Sequence, residues 1–369
     1  MAIDENALFE RLDLLFERNN FGEIERLIRE ISRDELTTEL RFRLVSALNN
    51  QKKFPEAIKE LRELEPLCET PAENARFWYS AGFAHYMNDC ELTALHCFEQ
   101  AAVVDPEDSA GLDIKGIIEE CREYIKQDLA DLNAFGKTAS EAVRECFAKV
   151  DEKDRKALSD TEFTLYLGYP SGIRVPPPVQ DALNFDDPLK KYSEEEKPGV
   201  KMFLRNYYGI SDLASFKNFY VNDLKYNGYR VASDALAYSD RKPNFPFSQL
   251  TQEIEEMFGN CALFLNAVRD YLPKTTVLAW DISEKIGAAR LAFSCDVIPD
   301  GDYFGCMGAL LNAARENFSS FEEYVKSLVF GGGFFMFLAE NFNIKSSIEF
   351  MENLLKMLVN SPLSEIKWG

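Results

Sequence analysis

The chain has 369 residues, 46% of them hydrophobic, with 29 Phe, 15 Tyr and a formal charge of −21. That length exceeds the usual single domain and implies two or three, while so many large apolar side chains exclude disorder of the whole chain. A surface this acidic repels phosphate backbones and anionic lipids, which excludes nucleic acid and membrane surfaces as partners.

The first residues, Met1–Leu15, carry acids where a secretion signal needs basic residues and a long apolar core. Helical periodicity starts at once. Leu8, Leu12 and Leu15 share one face, and Phe21, Ile24, Ile28 and Ile31 share the next. Leu40–Asn50 and Phe54–Leu64 repeat the pairing. In Ala75–Asp108 the pattern sharpens: Trp78, Gly82, Ala94, Phe98, Ala101 and Pro106 fall at positions 4, 8, 20, 24, 27 and 32 counted from Ala75. Small residues at 82, 94 and 101 let two helices approach, and Pro106 ends the second.

This spacing resembles the tetratricopeptide repeat, a helix–turn–helix unit of about 34 residues. The register predicts repeats over about 5–37, 38–74 and 75–108. A capping helix follows, with Leu112, Ile117, Ile118, Cys121 and Ile125 on one face, closing a domain over 1–127. The resemblance implies that the first helix of each pair lines a concave face that holds another chain. Phe9, then Phe42, Arg43, Asn49 and Asn50, then Arg76, Tyr79, Phe83 and Tyr86 occupy those positions. Aromatic and arginine anchors of this kind suit an extended or helical peptide. The set departs from the carboxylate clamp of chaperone-binding repeats, because Phe9 and Asp13 stand where that clamp needs Lys and Asn. The occupant is either a separate protein or the chain's own carboxy-terminal half or connector.

Residues 128–158 continue as a helical extension. Residues 160–199 read as an irregular, proline-containing connector with one short hairpin. Thr161–Leu167 alternates like a strand, Tyr169–Gly172 is a turn signal, and Val175–Val179 is extended through three prolines. From Met202 the helical period returns and holds to the end, with breaks expected near Asp240–Pro246, Pro273, Ile298–Asp302, Gly331–Gly333 and Ser361–Pro362. The fold class is all-α throughout. The longest apolar-rich run, Leu328–Ala339, is shorter than the roughly 20 residues that a membrane helix needs.

Over 200–369, segments 205–230, 277–293, 318–335 and 361–368 resemble, in order, motifs of the bacterial domain-of-unknown-function 1266 family. The first runs from an aromatic–Gly–Ile start (Tyr208-Gly209-Ile210) to Gly228-Tyr229-Arg230. The second holds the Trp280-Asp281 pair, the third Ser320-Phe321-Glu322-Glu323, and the last Ser361-Pro362 and Trp368. The resemblance implies an all-helical domain without an established activity. Trp280, Asp281, Arg290, Phe321 and Glu323 are its candidate motif residues. Of two family arginines on the central helix, Arg290 matches one and Glu284 replaces the other, and Gly332 stands where the family has an arginine. Trp280 is expected in the core, with Asp281 anchoring a neighbouring helix or backbone amide. Asp281 and Lys285 have the better orientation for a helical ion pair.

No catalytic constellation emerges. The only histidines, His85 and His96, lie among the repeats, and with Cys90 and Cys97 they fit no zinc spacing. Gly331–Gly333 lacks the Lys-Ser/Thr of a phosphate loop, so no metal or cofactor is assigned. Eight cysteines without a CxxC pair read as reduced thiols of a cytoplasmic protein. The reading is a non-enzymatic cytoplasmic adaptor that binds a protein or peptide through the repeat face, with the C-terminal domain as a second interaction module. The alternative is an enzyme or small-molecule binder whose site uses Asp281 and Arg290 with Tyr303 or Glu323.

Overall fold

The computed structural model describes residues 5–107, 113–169, 189, 191–222, 227–274 and 276–369. Leu112 and, apart from Tyr169, the expected turn at 169–172 and proline run at 175–179 lie outside the described residues. Among those described, the chain is helical, with one isolated bridge between Lys156 and Ile366. It divides into two compact units, Met1–Asp128 with Asn341–Asn343, and Leu129–Glu340 with Ile344–Gly369.

The first unit is built from helix pairs: α1 (Glu5–Glu17) with α2 (Phe21–Arg29), α3 (Thr38–Asn50) with α4 (Phe54–Leu64), and α5 (Pro71–Tyr86) with α6 (Glu91–Val104). Each pair reverses through one residue in the left-handed region, Asn19, Lys52 and Asp89, with φ of 54°, 61° and 56°. Those turns recur 33 and then 37 residues apart. Helix starts are fixed by caps. Thr37 Oγ1 accepts from the Leu40 amide, and Thr70 and Glu73 form a reciprocal capping box ahead of Pro71. Gly82 earns its place by contact, since a Cβ there would lie 2.7 Å from the Phe98 ring. Phe98, Ala94 and Ala101 are buried against Ile114, Ile118 and Cys121 at the start of α7 (Ile114–Phe147). One 34-residue helix thus replaces the separate cap and extension expected from the pattern, and it ends at Phe147.

In the second unit, the expected strand at Thr161–Leu167 is instead helix α8 (Asp160–Leu167). Its capping box decides the matter: Ser159 Oγ accepts from the Glu162 amide, and Glu162 Oε2 accepts from the Ser159 amide at 2.9 Å. Then follow α9 (Lys197–Phe203), α10 (Leu213–Asn222), α11 (Gly228–Ser239), α12 (Gln252–Ala267), α13 (Leu278–Ser294), α14 (Asp300–Asn317), α15 (Phe321–Ala339) and α16 (Ile344–Val359). The connector expected over 160–199 is therefore helical at both ends.

Helix α13 is the axis of this unit, with every residue buried except Leu278 and Lys285. Helices α14 and α15 pack on it, and α16 packs on α15. The break expected at Gly331–Gly333 does not occur, because α15 runs straight through it. Added Cβ atoms there would lie 2.4 Å from Trp280 Cβ, 2.7 Å from Leu354 Cδ2 and 2.3 Å from Met351 Sδ, respectively. The three glycines are what bring α15 onto α13 and α16. At the other end of α13, the Phe293 and Ser294 carbonyls accept from Lys191 Nζ and the Tyr192 amide. Among the described residues no helix is long and apolar enough to cross a membrane.

Candidate functional site

On the first unit, the fifth position of each repeat, counted from Glu5, Thr38 and Ala75, is aromatic: Phe9, Phe42 and Tyr79. Two of these rings are covered by an arginine from the following pair. The guanidinium carbon of Arg43 lies 5.1 Å from the Phe9 centroid, and that of Arg76 lies 4.4 Å from the Phe42 centroid. Both arginines are also held by acids. Arg43 binds Asp13 and, at 2.9 Å, Glu39. Arg76 binds the other oxygen of Glu39 at 2.5 Å. Acid and base alternate across the three helices as Asp13, Arg43, Glu39, Arg76.

Two cavities flank this ladder and share Ser46 and Arg76. The larger, about 740 Å³, lies between α3 and α5, with Phe42, Ala72, Ala75 and Tyr79 at its wall and Val104 and Asp105 from the end of α6 at its rim. The smaller, about 240 Å³, is lined by Leu12, Asp13 and Phe16 of α1 with Glu39 and Arg43 of α3. Such volumes reach the range of small-ligand and side-chain sites.

The nine groove residues expected from the sequence divide. Phe42, Arg43, Arg76 and Tyr79 border the cavities, and Phe9 lies under Arg43. Asn50 is exposed but turns its amide to the Ser46 carbonyl at 2.8 Å. Asn49 is buried and donates to the Ser80 carbonyl at 3.4 Å. Phe83 and Tyr86 pack against the cluster that α7 builds, and Tyr86 donates to Glu120 at 2.9 Å. Glu39 and Asp13, which organise the arginines, stand at concave-face positions of the repeat register but are not among the nine expected binding residues. The Glu39–Arg43 spacing of four on one helix is the signal for Glu39.

His85 is buried behind this face, and its Nδ1 has no hydrogen-bond partner among the described residues. Burial, helped by Arg62, pulls its imidazole down to about 4. It is a neutral packing residue at ordinary pH.

In the second unit the motif residues serve architecture. Trp280 is buried against Phe335 and Phe350, with ring centroids 5.6 and 5.7 Å away. Asp281 accepts from the amides of Gly228 at 3.0 Å and Tyr229 at 2.9 Å, the first amides of α11. Burial pushes its carboxyl up to about 7, against the pull of those two amides and of Lys285. Lys285 does not form the expected ion pair, and its amine donates instead to Asn227 Oδ1 at 2.6 Å. Asp281 and Lys285 therefore grip the same helix start from one turn apart. Glu323 caps α15 by accepting from the Ser319 amide and hydroxyl, both at 2.9 Å. Phe321 is buried between Phe163 and Trp368. Arg290 is buried, and Tyr303 stacks on Phe293 with centroids 4.2 Å apart. Tyr303 also borders a cavity of about 230 Å³ between α8 and α14 that includes neither Asp281 nor Arg290.

Residues 203–368 match the model of a family described as Protein of unknown function (DUF1266). The match covers less than half of the chain and concerns its C-terminal segment. No curated protein and no solved structure matches the chain.

Proposed function

We propose that the chain is a non-enzymatic cytoplasmic adaptor whose tetratricopeptide-like helix pairs hold a protein or peptide partner on the face formed by α1, α3 and α5. The observation that carries this reading is the cavity of about 740 Å³ between α3 and α5, walled by Phe42, Ala75 and Tyr79 and bordered by Arg76. Aromatic walls beside arginine are the surfaces on which binding energy concentrates. The C-terminal helical domain would act as a second interaction module.

The enzyme alternative at Asp281 and Arg290 is weakened by the use of both Asp281 oxygens as acceptors for the Gly228 and Tyr229 amides. A carboxylate committed to a helix start is poorly placed to exchange protons with a substrate.

Affinity capture from the native host tests the adaptor reading, using the wild type and Tyr79→Ala. Tyr79 is half-buried, whereas Phe42 is 2% exposed, so truncating Tyr79 disturbs the fold less. The reading expects a partner identified by mass spectrometry to be lost with Tyr79→Ala while the melting temperature is kept. Recovery of the same proteins by the variant would remove the groove from the account.

A further inference from the structure

We infer, resting on the groove reading above, that the occupant is an extended peptide with an apolar anchor flanked by lysine or arginine, and that acidic segments are rejected. The cavity supplies the anchor site. Ala72, Ala75 and Val104 leave room between the rings of Phe42 and Tyr79, and small residues beside aromatic walls accept an aliphatic or aromatic side chain.

The charges decide the flanks. Both arginines at the cavities are already paired, Arg43 with Asp13 and Glu39, and Arg76 with Glu39. An incoming carboxylate meets guanidiniums whose charge is already offset by Asp13 and Glu39, with those two acids close by to repel it. An incoming ammonium or guanidinium breaks nothing. Asp13 and Glu39 keep 59% and 42% of their side-chain surface open to solvent, so Asp13 can accept a second cation and Glu39 a third beside Arg43 and Arg76. Asp105 adds a third acid at the rim of the larger cavity. At the two cavities acids thus outnumber arginines, and the formal charge of −21 draws cationic segments from a distance.

The test is fluorescence anisotropy on the full chain with three labelled peptides of equal length at physiological salt. One carries a Leu-Phe core flanked by lysines, one the same core flanked by glutamates, and one lysines around a Gly-Ser core. The first should bind about ten-fold more tightly than either other, with Tyr79→Ala weakening it several-fold and Glu39→Gln weakening it less. Ala72→Trp, which plugs the cavity from an exposed position on its wall without deleting core atoms, should reproduce the Tyr79→Ala loss even if that variant is poorly folded. Tighter binding of the glutamate peptide, with dependence on Tyr79, would overturn the charge inference and leave the groove reading standing. Equal binding of both lysine peptides, indifferent to Tyr79→Ala and Ala72→Trp, would sink both, as would no binding by any peptide.

Discussion

Arg76 lies across the ring of Phe42 at 4.4 Å while its Nη1 holds Glu39 at 2.5 Å, so one guanidinium joins a hydrophobic contact to an ion pair. It covers one side of Phe42, which also forms part of the cavity wall. Arg76→Ala should lower stability by about 0.5–1 kcal/mol, the scale of an exposed cation–π contact plus a screened ion pair. Arg76→Lys should recover little, because an ammonium cannot lie flat on a ring while it donates to a carboxylate at the side. Urea unfolding of the three proteins checks the order.

His85 gives the first unit a pH dependence with a definite sign. Its folded value of about 4 lies below the ordinary 6.5, so the unfolded chain takes up a proton that the folded chain refuses. The stability linked to His85 is fully present above pH 6.5 and drains away as pH falls towards 4. At pH 5 the loss is about 2 kcal/mol, taking roughly 1.4 kcal/mol per pH unit. His85→Phe should reduce the drop between pH 7 and pH 5 by about that amount. An unchanged drop in the variant would mean that His85 is not the titrating group.

Asp281→Ala should cost about 2–4 kcal/mol, because it leaves the buried Gly228 amide and its neighbour at Tyr229 without an acceptor. Asp281→Asn should also destabilise, since its NH2 would face one of those amides. Thermal unfolding of the full chain reads both variants. Wild-type stability in either would return Asp281 to the list of candidate reactive groups.

The glycines of α15 should differ in tolerance. A Cβ at Gly331 meets Trp280 Cβ at 2.4 Å and the Val277 carbonyl oxygen at 2.9 Å, atoms with little freedom to move. At Gly332 the obstacles are the outer atoms of Leu354, Trp280 and Phe350, at 2.7–2.9 Å. Both alanine variants should lose about 1–3 kcal/mol, with Gly331→Ala the worse. Gly332→Arg, which restores the residue expected from the family resemblance, should prevent the second unit from folding. Soluble expression and far-UV circular dichroism check the series.

The sequence made the helix pairs legible because buried positions recur at helical spacing and small residues mark the close approaches, as at Gly82. It pointed to the role of Asp281, since an acid beside a core tryptophan must find donors. Thr161–Leu167 misled because alternation over so short a run is weak evidence beside the Ser159–Glu162 capping box. Gly331–Gly333 resembled a break because glycine is intrinsically poor in helices, and only the contacts of Trp280 and Met351 explain it. The packing of Phe83 and Tyr86 against α7 is not legible in the sequence, because the path of that helix depends on tertiary contacts.

The left-handed reversals at Asn19, Lys52 and Asp89 bear on how such a chain can change in length. Each pair turns back through the same backbone state, and both links between pairs pass through a short 3-10 turn, Arg33–Glu35 and Glu65–Leu67. A duplicated or deleted pair would therefore keep its own internal turn, and only the links between pairs would have to adjust. Asn and Asp tolerate that state through their short polar side chains, whereas Lys52 has no such help. The middle reversal is therefore where a glycine or asparagine would be the natural replacement in an edited array.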